Sequence, residues 1–124
     1  MKDIYFQAAG GGLQICIQIG YAQIGSYRLR LWESDSNTII LDKSGNNRNP
    51  EDDCYNLPLP NENNNGRYVQ CEFSILSPDP KPGERYSAKL IFKQGDQDIG
   101  SIEDSGPISE KRECPELWAI LKTP

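Results

Sequence analysis

In the stretch SYRLRLWE, Arg28, Arg30 and Trp32 recur at every second position. A strand turns side chains of that period to one side, here the side opposite Tyr27, Leu29 and Leu31. Flat, weakly hydrated guanidinium groups beside an indole are frequent at recognition surfaces, because both can be desolvated at moderate cost. Tyr21 and Tyr27, in the flanking GYAQIGSY, join the candidate set if they lie at the same end of the sheet. Such a patch suits a protein partner or the flat face of a sugar. The competing reading is structural: Trp32 covered by a loop or a second sheet, and the arginines paired with carboxylates on neighbouring strands.

Other chemistry is scarcer. The chain has no histidine, which removes the His base and with it the Ser-His-Asp and Cys-His arrangements. Carboxylates abound, among them Glu33, Asp35, Asp52, Asp53, Glu72, Asp96 and Asp98, and a pair of them could act as acid and base on a glycoside. With 18 acidic residues in 124, neighbouring pairs arise by chance, and nothing in the pattern signals the burial that raises a carboxyl pKa. The run DKSGNNRNPEDD begins like a calcium loop with Asp42, Ser44 and Asn46. It then departs: Asn47 stands where Gly is needed, Asp53 replaces the closing Glu, and no helices flank it. AAGGGLQI has a glycine triplet but no Lys-Ser/Thr and no following helix, so it is not a phosphate loop. No catalytic residue, cofactor or metal ligand is assigned on this pattern.

A formal charge of -5 gives no cationic field to draw the chain to nucleic acid, and none is expected as a partner. No run approaches the roughly 20 apolar residues of a membrane span. MKDIYFQAAGGG lacks the apolar core of a secretory signal, so the expected location is cytoplasmic if Met1 is the native start and exported otherwise. Cys16, Cys54, Cys71 and Cys114 contain no C-x-x-C pair, and no zinc site is read from them. They predict two disulfides, of unspecified pairing, in an exported protein and four thiols in a cytosolic one. Cys71, in phase with Val69, Phe73 and Ile75, reads as a small buried hydrophobe.

The elements that must position these residues are strands. LQICIQI, SYRLRLWE, GRYVQCEFSIL and RYSAKLIF all alternate with period two. DIYFQA, NTIILD, the segment from Asp98 to Ile102 and ELWAILK complete the set. Gly95-Asp96 reads as the tight turn of a hairpin and Asn65-Gly66 as a second hairpin signal. The polar stretch from Lys43 to about Asn65 is expected to lack regular structure, although CYNLPLP could lie along a sheet edge.

Seven to eight strands at this spacing predict an all-β, two-sheet antiparallel β-sandwich of immunoglobulin or fibronectin-like architecture, a single domain over 1–124, with a small barrel as the runner-up. The expected function is a non-catalytic interaction or assembly module that binds a protein partner or self-associates. The alternative is a carbohydrate-binding module using Trp32 and tyrosines, with a structural calcium held by Asp52, Asp53 and a carbonyl.

Overall fold

The computed structural model of the chain describes residues 1–20, 24–48 and 51–124. Among these residues ten strands follow one another: β1 (Lys2–Tyr5), β2 (Leu13–Gly20), β3 (Ile24–Trp32), β4 (Ile39–Asn46), β5 (Asp53–Asn56), β6 (Tyr68–Leu76), β7 (Arg85–Gln94), β8 (Gln97–Pro107), β9 (Arg112–Glu113) and β10 (Glu116–Lys122). A short 3₁₀ turn, Asn61–Asn64, precedes β6. They form a β-sandwich of two packed sheets, one of six strands in the order β1-β10-β6-β3-β4 with β9 also on β6, the other of four in the order β5-β2-β7-β8. The barrel is thereby excluded, since both sheets keep open edges.

Period-two alternation decides which way each strand faces. Leu13, Ile15 and Ile17 of β2, Leu29 and Leu31 of β3, Val69, Cys71, Phe73 and Ile75 of β6, and Leu90 and Phe92 of β7 are all buried between the sheets. Leu117, Ala119 and Leu121 of β10 join them. ELWAILK is thus a strand with its odd positions inside, and Trp118 faces the other way. Cys71 is fully buried, and that burial pushes its thiol well above the usual range, so it behaves as core.

Every ladder is antiparallel except that of β1 with β10, which is parallel. Parallel neighbours cannot be joined by a tight turn, and here they are the first and last of the described strands, so the intervening fold serves as the crossover. Gly95 and Asp96 do make a two-residue hairpin between β7 and β8, with Gly95 at φ 60 supplying the positive angle.

Three expectations are corrected. Asn65-Gly66 makes no hairpin: the strand before it, β5, pairs with β2 in the other sheet, and the Gly66 N–H donates to the Leu121 carbonyl at 2.7 Å. The polar stretch is more regular than its composition implies, because β4 continues through Lys43–Asn46 on the β3 ladder, while β5 lies along the edge beside β2, as CYNLPLP allowed. Backbone pairing outweighs poor strand propensity there. Finally, β8 extends to Pro107, well beyond Ile102, carried by its ladder with β7.

The thin core is completed by buried polar groups. Asn61 donates from Nδ2 to the carbonyl of Gly11 at 2.8 Å, and Asn64 donates to that of Pro58 at 3.0 Å. Arg67 donates from Nη1 to Asn64 Oδ1 at 3.0 Å and from Nη2 to Glu33 Oε2 at 3.0 Å. An asparagine-rich segment that reads as a soluble loop is therefore a hydrogen-bonded plug closing one end of the sandwich.

Leu29 is fully buried at the middle of β3. Leu29→Ala is expected to lower the unfolding free energy by about 2–5 kcal/mol, read from the urea midpoint at constant m-value.

Candidate recognition face

The outer face of the six-stranded sheet carries the alternating stripe. Arg28, Arg30 and Trp32 share it with Tyr68, Gln70, Glu72 and Ser74 of β6 and with Glu116 and Trp118 of β10, an assignment that follows from register. Trp32 lies directly opposite Tyr68, Arg30 opposite Gln70 and Arg28 opposite Glu72. On the far side of β6, Gln70 meets Trp118 and Glu72 meets Glu116.

Gln70 is the hub of this face and is only 7% exposed. Its Oε1 accepts from Trp32 Nε1 at 2.9 Å and from Arg30 Nη1 at 3.3 Å. Its Nε2 donates to Glu72 Oε1 at 3.1 Å and to Glu116 Oε1 at 3.0 Å. Glu116 Oε1 also accepts from Trp118 Nε1 at 2.6 Å. Both indole N–H groups are thus satisfied within the protein. Trp32, Tyr68 and Trp118, each half-buried, surround a recess of about 220 Å³ whose rim is completed by Ser36 and Asn37 from the β3–β4 turn.

The arginines reach diagonally. Arg28 donates from Nε and Nη2 to the two carboxylate oxygens of Asp42, at 3.0 and 2.7 Å, although its opposite residue on β4 is Ser44. That hydrogen-bonded pair raises the Arg28 pKa and holds the Asp42 carboxyl below the usual range. Arg30 pairs with Glu72 Oε1 at 2.9 Å. Its Nε is buried without a partner.

A second, more polar cleft of about 380 Å³ lies farther along the same face. Ser26, Arg28, Glu72, Ser74, Arg112, Cys114 and Glu116 contribute to its lining. It opens where the strand lining β6 is interrupted between β9 and β10. Pro115 has no N–H to continue a ladder, and its carbonyl accepts from the Phe73 N–H at 2.9 Å instead.

The candidate residues therefore divide. Arg28, Arg30 and Trp32 share one face as the alternation requires. Tyr27 lies on the opposite face, in the core, where its hydroxyl donates to Asp53 Oδ2 at 2.6 Å and meets the Tyr55 hydroxyl. Tyr21 lies outside the described residues. Tyr68, Gln70 and Trp118 were not singled out from the sequence. Tyr68 and Trp118 nevertheless sit at outward positions of alternating strands, a signal that could have found them; Gln70 has no such mark.

Three of the carboxylates considered for catalysis are engaged separately. Glu33 pairs with Arg67, whose hydrogen bond, aided by the Ser34 N–H, holds its carboxyl below the usual range. Asp52 accepts from Gln18 at 2.7 Å and Asp53 from Tyr27. Among the described residues no three His, Cys, Asp or Glu side chains gather as a metal site would require.

The cysteine expectation is corrected as well. Cys16 and Cys54 are bridged across directly opposed positions of β2 and β5, whereas Cys71 and Cys114 are free, so the chain has neither two disulfides nor four thiols. Direct opposition on adjacent strands brings the two sulfurs within bonding reach.

Comparison with protein-family models, curated proteins and solved structures finds no significant match. The fold places the chain in the class of β-sandwich proteins.

Burial, and next the hydrogen bond to Asp53, push the Tyr27 phenol well above its ordinary range. The folded state therefore keeps a proton that the unfolded chain releases near pH 10, so stability is expected to fall as pH rises beyond that value. Urea midpoints measured from pH 8 to 11 should show this decline, and Tyr27→Phe should flatten it. Tyr86, raised mainly by burial, leaves a residual slope.

Proposed function

We propose that the chain is a non-catalytic recognition module whose contact surface is the outer face of the six-stranded sheet, taking a protein partner or a second copy of the chain. The observation that carries this reading is the Trp32–Tyr68–Trp118 recess beside Arg28 and Arg30. Tryptophan, tyrosine and arginine are the residues in which interface binding energy concentrates. Because Gln70 and Glu116 already accept from the two indoles, a partner can cover the rings without leaving an N–H unpaired. Aromatic anchors at one end and mixed charges at the other give such a face both affinity and orientation. Two packed sheets support an immunoglobulin or fibronectin-like architecture for such a module.

A second reading, a carbohydrate-binding module, is favoured by the recess itself. Three half-buried rings with a hydroxyl and an amide, from Ser36 and Asn37, at the rim suit the apolar face and hydroxyl edge of a sugar. The Cys16–Cys54 bridge supports an oxidising compartment for either reading. Among the described residues no helix is long and apolar enough to cross a membrane.

Sedimentation of the protein across a concentration series tests self-association, and a glycan array with calcium present tests the sugar reading. Trp32→Ala and Trp118→Ala are each expected to weaken whichever association is found by about tenfold or more, with a stability cost below about 3 kcal/mol. A larger stability loss would mark the indole as a packing residue. Association that both variants leave unchanged would remove this face from the function.

A further inference from the structure

We propose that the Cys16–Cys54 bridge is a thiol-exchange site, attacked at Cys54 by a thiol approaching past the open edge of the four-stranded sheet. The two cysteines are unequal. Cys16 is 1% exposed and sits on β2, flanked by β5 on one side and β7 on the other. Cys54 is exposed and sits on β5, beyond which the sheet has no further strand among the described residues.

Exchange requires the attacking sulfur to approach along the line of the bond, from behind the sulfur it attacks. The bond links directly opposed positions of β2 and β5. On its other side Cys16 has β7, where Ile91 is its opposite residue. On its other side Cys54 has the free edge of the sheet. A thiolate therefore bonds to Cys54 Sγ, the disulfide breaks, and Cys16 leaves as a thiolate that takes up a proton. A second thiol then attacks the sulfur of the first, releasing Cys54 as a thiolate that is protonated in turn. The two thiols depart joined as a disulfide, and two electrons have passed from them to the bridge.

The consequence is local. β5 has only four residues and one neighbour, and the bridge lies in the middle of its ladder with β2. The same short strand carries Asp53 and Tyr55, which hold the Tyr27 hydroxyl, so loosening it also withdraws those partners from β3. The other cysteines do not substitute: Cys71 is sealed in the core, and Cys114 belongs to the region between β9 and β10, next to the other sheet. This site lies apart from the recognition face and does not depend on its occupant.

The test uses the native protein with Cys114 replaced by serine, exposed to glutathione, quenched in acid and mapped by peptide mass spectrometry. Glutathione is expected on Cys54 in at least about tenfold excess over Cys16. An equal division, a preference for Cys16, or a bridge that stays intact in millimolar glutathione would overturn the assignment, as would an intact mass showing no bridge. Hydrogen exchange after reduction with dithiothreitol supplies the second readout. Amides of residues 53–57 should exchange at least about tenfold faster while those of β3 and β6 stay protected. Unchanged exchange in β5, or loss of protection throughout, would overturn its local release. The double variant Cys16→Ser/Cys54→Ser should reproduce the same pattern without reductant.

Discussion

Nine residue pairs, from Ile24 opposite Leu76 to Trp32 opposite Tyr68, join β3 to β6 near the centre of the larger sheet, and their register governs both of its faces. With Leu29 opposite Cys71 and Leu31 opposite Val69 turned into the core, Arg30, Gln70, Trp32 and Tyr68 must stand on the outside. A slip of one residue in either strand would turn its apolar set to solvent and carry its polar set into the core. The recognition face is thus specified by what the interior demands, and needs no separate scaffold to hold it.

Polar groups finish what a modest apolar content begins. At one end, Asn61, Asn64 and Arg67 satisfy loop carbonyls and Glu33 where a larger protein would add hydrophobic bulk. On the outer face, Gln70 does the corresponding work for one indole, two glutamates and a guanidinium, and Glu116 serves the second indole. Each of these side chains is buried because it is paired, and removing one partner would strand the other. The orphaned Arg30 Nε and Asn61 Oδ1 mark the points where that pairing is incomplete.

The class of fold was legible because its signal is local: alternation in LQICIQI, SYRLRLWE and GRYVQCEFSIL names the buried side residue by residue. Sheet order was less legible, since it depends on which strands meet across long connections. Thus Asn65-Gly66 reads as a hairpin until β5 is seen on the other sheet. The stripe of Arg28, Arg30 and Trp32 was readable from one strand alone. Its completion by Tyr68 and Trp118 required the register of three strands, and the role of Gln70 required knowing that its neighbours would bury it. Tyr27 shows the converse. Its inward phase was readable, but its buried hydroxyl depends on Asp53 and Tyr55, which come from an edge strand whose pairing with β2 is not specified locally.

The chain has two tryptophans, and both border the same recess. Indole emission responds to the polarity of its surroundings, so the protein's tryptophan fluorescence originates from one small region of one sheet. Optical unfolding curves recorded at that wavelength follow the larger sheet and are insensitive to loss of β5 on the smaller one. A difference between such a curve and one from backbone circular dichroism would therefore measure how tightly the two sheets are coupled.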